Sequence, residues 1–160
     1  MKEIYLAGGC FWGVQAYFQH IPGVIKTTVG YANGPHKIPT YQEVCQESGH
    51  AETVHIIYDS NRLPLECLLA YYYDIVDPIS INRQGNDIGI QYRTGIYYIN
   101  HNDTPIIEKS LHKLQAKYKQ IIQIECVPLK NFYPAEEYHQ NYLTKHPQGY
   151  CHIPKEKLQK

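Results

Sequence analysis

The run Ile4-Tyr5-Leu6-Ala7-Gly8-Gly9-Cys10-Phe11-Trp12-Gly13 decides how this chain folds. Its first four residues are apolar and read as a strand. Phe11, Val14, Phe18 and Ile21 then recur at helical spacing until Pro22-Gly23 stops them. A glycine pair thus turns a strand directly into a helix, and Cys10 opens that helix. The first N–H groups of a helix lack internal acceptors and carry partial positive charge. A thiol held there can ionise below its free value of about 8.5, and the thiolate is the nucleophilic form. The alternative is a buried structural cysteine, since free cysteine packs as a small core residue. The flanking glycines, which leave the sulfur uncovered, and the adjacent aromatic pair favour a reactive thiol.

Outward from this unit, a second strand is expected over Val24 to Tyr31, followed by a turn-rich stretch. Tyr41 to Glu47 reads as loop with at most one helical turn, and Glu52 to Tyr58 alternates as a strand. Pro64 opens a helix with Leu65, Leu68, Leu69, Tyr72 and Ile75 on one face. Ser80 to Thr94 is a long polar, glycine-bearing segment before a strand over Gly95 to Ile99. Asp103 or Thr104 caps a helix whose first residue is Pro105, with Ile107, Leu111, Leu114 and Tyr118 along one side. A strand over Ile122 to Cys126 and a short helix around Pro134 to Thr144 follow. The expectation is one domain over residues 1–160, an α+β, two-layer α/β sandwich with a ferredoxin-like βαββαβ core, extra helices and a C-terminal coil over Gly149–Lys160.

The chain has 160 residues, zero formal net charge and no block of like charges, so neither nucleic acid nor an anionic membrane is an expected partner. No run approaches a membrane span, and Met1-Lys2-Glu3 leads straight into the first strand without a leader. Five well-separated cysteines, with no C-x-x-C pair, argue against a disulfide framework and for a reducing, cytoplasmic setting. Tyr occurs 16 times and Met only at position 1, so no oxidisable thioether lies beyond the first residue.

Beyond Cys10, five residues stand where chemistry is possible. Glu52 begins a strand, Tyr41 and Tyr92 lie in irregular segments, Asp87 follows Gly85-Asn86, and Cys151 sits on the tail. Each has a duller reading: a solvated carboxylate, half-buried filler, an idle thiol. Two other enzyme classes share fragments of the pattern. His50-Ala51-Glu52 matches the H-x-E of zinc deaminases, but the downstream P-C-x-x-C that would complete a metal site is absent. Cys10 with His139 has the spacing of a papain-like cysteine hydrolase, which leaves Cys151, Glu52 and the Gln84-Gly85-Asn86-Asp87 loop unused.

The motifs GGCFWG (8–13), GYANG (30–34), PTYQEVC (39–45), GHAE (49–52), RQGNDIGIQYRTGIYY (83–98), EEYHQNYL (136–143) and GYCHI (149–153) together resemble the peptide methionine sulfoxide reductase A family almost end to end. That resemblance implies a metal-free, cofactor-free reductase of methionine sulfoxide, free or in proteins and selective for the S epimer. It implies that Cys10 attacks the sulfoxide sulfur, that Phe11 and Trp12 form the pocket for the S-methyl group, and that Glu52 supplies the proton with Tyr41 and Tyr92 donating to the same oxygen. A carboxyl protonated near pH 7 needs its pKa raised by about three units, a cost of roughly 4 kcal/mol, which burial can impose. Asp87 and His139 match positions that hold the substrate backbone or complete the pocket. The product would be a Cys10 sulfenic acid, resolved by Cys151 into a Cys10–Cys151 disulfide that thioredoxin, or dithiothreitol in vitro, reduces. This is the two-cysteine version, expected to act as a monomer, with Cys45, Cys67 and Cys126 structural. The family also occurs fused to a second reductase, for which Lys155 to Lys160 would be a linker.

Overall fold

The computed structural model describes residues 1–35, 39–45 and 49–158. β1 (Lys2–Gly8) runs into α1 (Phe11–Phe18), and β2 (Val24–Ala32) returns, followed by the single turn α2 (Tyr41–Cys45) and β3 (Ala51–Tyr58). Then come α3 (Leu65–Tyr73), a minimal hairpin of β4 (Arg83–Gln84) and β5 (Asp87–Ile88), β6 (Thr94–Tyr98) and α4 (Thr104–Gln115). β7 (Glu125–Pro128), β8 (Phe132–Pro134), α5 (Tyr142–Lys145) and α6 (Lys155–Leu158) complete the described chain. The main sheet has the order β7-β6-β1-β3-β2-β8. Every pairing in it is antiparallel except β6 with β7.

The strands at the centre of that sheet explain the packing. Ile4 and Leu6 of β1 face Ile56 and Val54 of β3 in register. These side chains share one cluster with Phe11, Val14 and Phe18 of α1 and Leu65, Leu68, Leu69 and Tyr72 of α3. Each large apolar side chain so buried contributes about 1.5–3 kcal/mol. The opposite sheet face is not left to solvent. Tyr5, Ala7, Ala32, Ala51 and Tyr97 are buried there beneath Val127, Leu129 and Phe132. That cover explains why Ala51 through Val54 are all buried, where one-sided alternation would have left every second residue wet. No helix of the described residues is long and apolar enough to cross a membrane.

Several expected elements differ. The polar segment before β6 carries the β4–β5 hairpin and a 3₁₀ turn at Ile90–Tyr92. Gln84 holds it, accepting from the Asp77 N–H (2.7 Å) and donating to the Asp77 carbonyl (3.0 Å). α4 begins at Thr104 rather than Pro105, and Asp103 makes no side-chain cap because its carboxylate pairs with Lys2. Tyr118 lies past the helix end and is exposed. β7 starts at Glu125, where the expected strand began at Ile122. In place of one helix over Pro134 to Thr144 there is the edge strand β8, a 3₁₀ turn at Glu137–His139 and α5. The tail is not all coil: Ile153 is buried in the core, and α6 docks by Lys157 Nζ, which donates to the Asp74 carbonyl (2.6 Å). Glu47, Gln159 and Lys160 lie outside the described residues.

Candidate active site

Gly9 adopts φ +89°, a left-handed conformation that glycine enters without steric cost, and so turns β1 into α1. Cys10 is the N-cap residue of α1 and is 7% exposed. The Trp12 N–H stabilises its thiolate, as the helix-start argument expects. Burial and the neighbouring Glu52, Asp87 and Cys151 outweigh that donor, and the thiol is pushed well above its ordinary value. In the resting site Cys10 is therefore a neutral thiol. The helix start alone does not ionise it.

After burial, Glu52 is the next largest influence on Cys10. Its side chain enters from β3, the residue is 1% exposed, and Oε1 accepts from the Phe11 N–H at 3.2 Å. Oε2 is buried without a hydrogen-bond partner among the described residues. Burial, and more weakly Asp87, raise its pKa from 4.5 to about 8 against the pull of the Phe11 N–H. A carboxylic acid thus persists at neutral pH beside the thiol.

Tyr41, at the start of α2, and Tyr92, at the end of its 3₁₀ turn, are both raised by burial first and by Glu52 next. Both remain protonated donors. The Tyr41 hydroxyl also donates to Cys45, which is exposed at the rim of the site, so Cys45 is not a core residue. Cys67 is likewise exposed, and only Cys126 of the three packs against the core.

Phe11 is 1% exposed, so its ring belongs to the core and to one wall of the site, while half-buried Trp12 faces outward. Trp12 Nε1 donates to His139 Nδ1 at 2.9 Å, and its indole stacks on Tyr142 with centroids 3.8 Å apart. His139 is buried among the rings of Phe11, Trp12, Tyr41 and Tyr138, and burial lowers its pKa. A cysteine hydrolase needs its histidine on the thiol. Here Nδ1 is committed to Trp12, and His139 has no bond to Cys10 among the described residues. The described residues hold no group of three His, Cys, Asp or Glu side chains able to bind a metal ion.

Asp87, in β5, reaches the other side of Cys10. Burial raises its pKa against the pull of His152, the Tyr150 hydroxyl and the Cys10 N–H, and His152 Nδ1 lies 3.4 Å from Oδ2. Cys151 packs against α1 itself. A Cβ placed on Gly13 would stand 2.7 Å from Cys151 Sγ. Cys10 and Gly13 are three residues apart and lie on one helix face, which places Cys151 about one turn from Cys10. Gly13→Ala is accordingly expected to push the tail aside and slow any Cys10–Cys151 bond formation at least about tenfold. Timed alkylation of thiols after oxidation measures it.

Sequence reasoning missed the supports. Glu136 accepts from the Tyr31 hydroxyl (2.7 Å) and from the Tyr41 N–H (3.1 Å), and so sets where Tyr41 begins α2. Buried Gln15 of α1 accepts from the Asn141 N–H at 2.8 Å, which fixes the segment bearing Tyr142. Arg93 joins two motifs, donating to Glu125 (2.8 Å) and to the Asn33 carbonyl (3.2 Å). All three lie in or beside the quoted motifs, and that was their only signal. A groove of about 520 Å³ between α3 and α4 contains none of the site residues.

A thiol without a base, a carboxylic acid at its side and a second thiol one turn away suit oxidation–reduction at sulfur rather than acyl transfer. Fold and site together make this a candidate centre for thiol-based oxidation–reduction. Comparison with known proteins narrows the class. The family model for peptide methionine sulfoxide reductase matches residues 2–160. The peptide methionine sulfoxide reductase MsrA of Clostridium acetobutylicum is 58% identical over 161 residues, covering 100% of this chain and 99% of that one. The crystal structure of Mxr1 from Saccharomyces cerevisiae in reduced form superposes with a TM-score of 0.88 at 37% identity, over 94% of this chain and 88% of that chain. Mxr1 in complex with Trx2 superposes less closely, with a TM-score of 0.63 at 28% identity over 88% and 84%. This chain belongs to the peptide methionine sulfoxide reductase family.

Proposed function

We propose that the chain reduces the S epimer of methionine sulfoxide, free or in proteins, with Cys10 as nucleophile, Glu52 as acid and Cys151 as resolving thiol. The observation that carries this reading is Glu52: a buried carboxyl with a pKa of about 8, beside a thiol, with one oxygen free of partners among the described residues. Oxide is too basic to leave a sulfoxide, so its oxygen must gain a proton as Cys10 sulfur bonds to the substrate sulfur. Glu52 gives that proton and recovers one from the Cys10 thiol, while Tyr41 and Tyr92 donate to the same oxygen. Phe11 and Trp12 receive the S-methyl group, and Asp87 and His139 hold the remainder of the substrate. The protonated oxygen passes from the substrate sulfur to the Cys10 sulfur as the bond between the two sulfurs breaks, so methionine leaves and Cys10 is left as a sulfenic acid.

Cys151 then attacks the Cys10 sulfur. An S–S bond forms, the S–O bond breaks, and water leaves carrying the Cys151 proton. An external dithiol restores both thiols by exchange. The existence of a Trx2 complex of the yeast relative supports thioredoxin in that part. A groove of about 480 Å³ that reaches Cys151 between α1 and the tail, lined by Ala16, His20, Leu143 and Pro147, offers such a partner access. The reading extends to a monomer acting in the cytoplasm with no bound cofactor; the five free cysteines support the reducing compartment alone.

NADPH oxidation coupled through thioredoxin and its reductase, run on each epimer separately, tests the assignment. Turnover of the S epimer alone is expected. Equal turnover of both removes the epimer selectivity, and turnover of neither removes the reading. Cys151→Ser is expected to release one methionine per enzyme at near wild-type rate and then stall with thioredoxin, leaving a dimedone-reactive Cys10. Sustained thioredoxin-driven turnover in that variant would transfer the resolving role to another cysteine.

A further inference from the structure

The reaction above leaves one buried titratable side chain of the site unused. His152, the residue after Cys151, has a side chain only 3% exposed. Its Nε2 lies 3.0 Å from the Gly8 carbonyl, the last peptide of β1 before the turn to Cys10. A carbonyl only accepts, so Nε2 carries a proton and donates. Its Nδ1 faces Asp87 at 3.4 Å, and Asp87 in turn is stabilised by the Cys10 N–H. The ring is seated against both glycines that flank Cys10: a Cβ on Gly9 would come within 3.0 Å of Nε2, and one on Gly13 within 3.6 Å of Cε1. On one side in the chain stands Cys151, whose sulfur packs over Gly13; on the other stands Ile153, 2% exposed in the core. Just before this anchor, Pro147 and Gln148 are exposed.

We propose that His152 is a positioning residue for the resolving step. Its bond to the Gly8 carbonyl latches the tail to the Cys10 turn, so Cys151 meets the Cys10 sulfenic acid already in place. The inference rests on the assignment of Cys151 as resolving thiol. The chemistry it assists is the condensation already written: an S–S bond forms, the S–O bond breaks, and water leaves. What His152 contributes is proximity, because a tail released from Gly8 samples positions in which the two sulfurs do not touch. None of the residues assigned to sulfenic acid formation lies on the tail, so the latch is expected to act on closure and not on that step.

Rapid-quench single turnovers with His152→Ala, His152→Gln and wild type test the latch, reading methionine release and disulfide closure separately. Gln places an amide N–H near the position of Nε2 and keeps the bond to Gly8; Ala removes it. His152→Ala is expected to release methionine at wild-type rate while closure slows at least about tenfold and dimedone-reactive Cys10 accumulates. His152→Gln is expected to close within about threefold of wild type. Closure at wild-type rate in His152→Ala overturns the proposal. So does equal slowing in both variants, which would mean that ring packing and not the hydrogen bond matters. Loss of methionine release together with closure would assign His152 to the integrity of the fold, and also overturns it. Cys151→Ser run in parallel separates the premise: a Cys10 disulfide formed there would mean that the resolving thiol lies elsewhere, whatever His152 does.

Discussion

Cys10→Ser is expected to lose sulfoxide reduction by at least about 10³-fold under every reductant, more than about 4 kcal/mol of barrier. The reason is the fate of the oxygen. Sulfur accepts it as a stable S–OH, whereas serine would have to form an O–O bond. Dithiothreitol cannot rescue such a variant, because the reductant acts after the oxygen has moved. The substitution preserves the N-cap position of α1 and a side chain of nearly the same size, so the fold should persist. Single-turnover methionine release with dithiothreitol checks it, and appreciable release would remove Cys10 from the role of nucleophile.

Glu52→Gln is expected to change activity and stability in opposite directions. The amide keeps an acceptor for the Phe11 N–H but has no proton to give, so methionine formation in a single turnover should slow at least about tenfold, or about 1.4 kcal/mol. Stability follows from linkage. The carboxyl binds its proton more tightly folded than unfolded, with a pKa of about 8 against 4.5. Between those values the folded state holds the proton and the unfolded state has lost it, so wild-type stability falls as pH rises from about 4.5 to 8. At pH 7 the accumulated penalty is about 3 kcal/mol, less what the second amide N–H loses on burial. Glu52→Gln should therefore melt higher than wild type at pH 7 by several degrees, on the order of 5–10 °C, and nearly equal to it at pH 4. The wild-type burst should hold below about pH 8 and fall above it as Glu52 ionises, and the variant should lack that limb. A burst at wild-type rate in Glu52→Gln would assign the proton to Tyr41, Tyr92 or water.

What could be read from residues alone was local. The strand, the Gly9 turn and the helix stopped by Pro22-Gly23 all lie within one continuous segment, and each element carries its own period or breaker. The helix over Leu65–Tyr73 was legible for the same reason. β8 was not, because Phe132–Pro134 is too short for alternation and contains a proline that only an edge strand tolerates. The β4–β5 hairpin is held by Gln84 folding back on Asp77, a contact that hydropathy does not register. Ile153 is one apolar residue in a polar tail, and its burial comes from docking on α1.

The site divides in the same way. Cys10 was legible from its turn, but the direction of its pKa was not. The helix start favours the thiolate, and the opposing weight comes from burial and from Glu52 on β3, 42 positions away in the chain. The Glu136 bonds to Tyr31 and Tyr41 span 105 and 95 positions. His152 lies inside a quoted motif, yet its partners Gly8 and Asp87 are 144 and 65 positions distant. Resemblance located these motifs, and tertiary contact gave their side chains a role.

The most direct measurement is a thiol map of the wild-type enzyme after one equivalent of the S-epimer sulfoxide, without added reductant. The account requires one methionine released per chain, two thiols lost, and a single disulfide joining the peptides that contain Cys10 and Cys151. Methionine release with Cys10 still a free thiol, or no release at all, would contradict it.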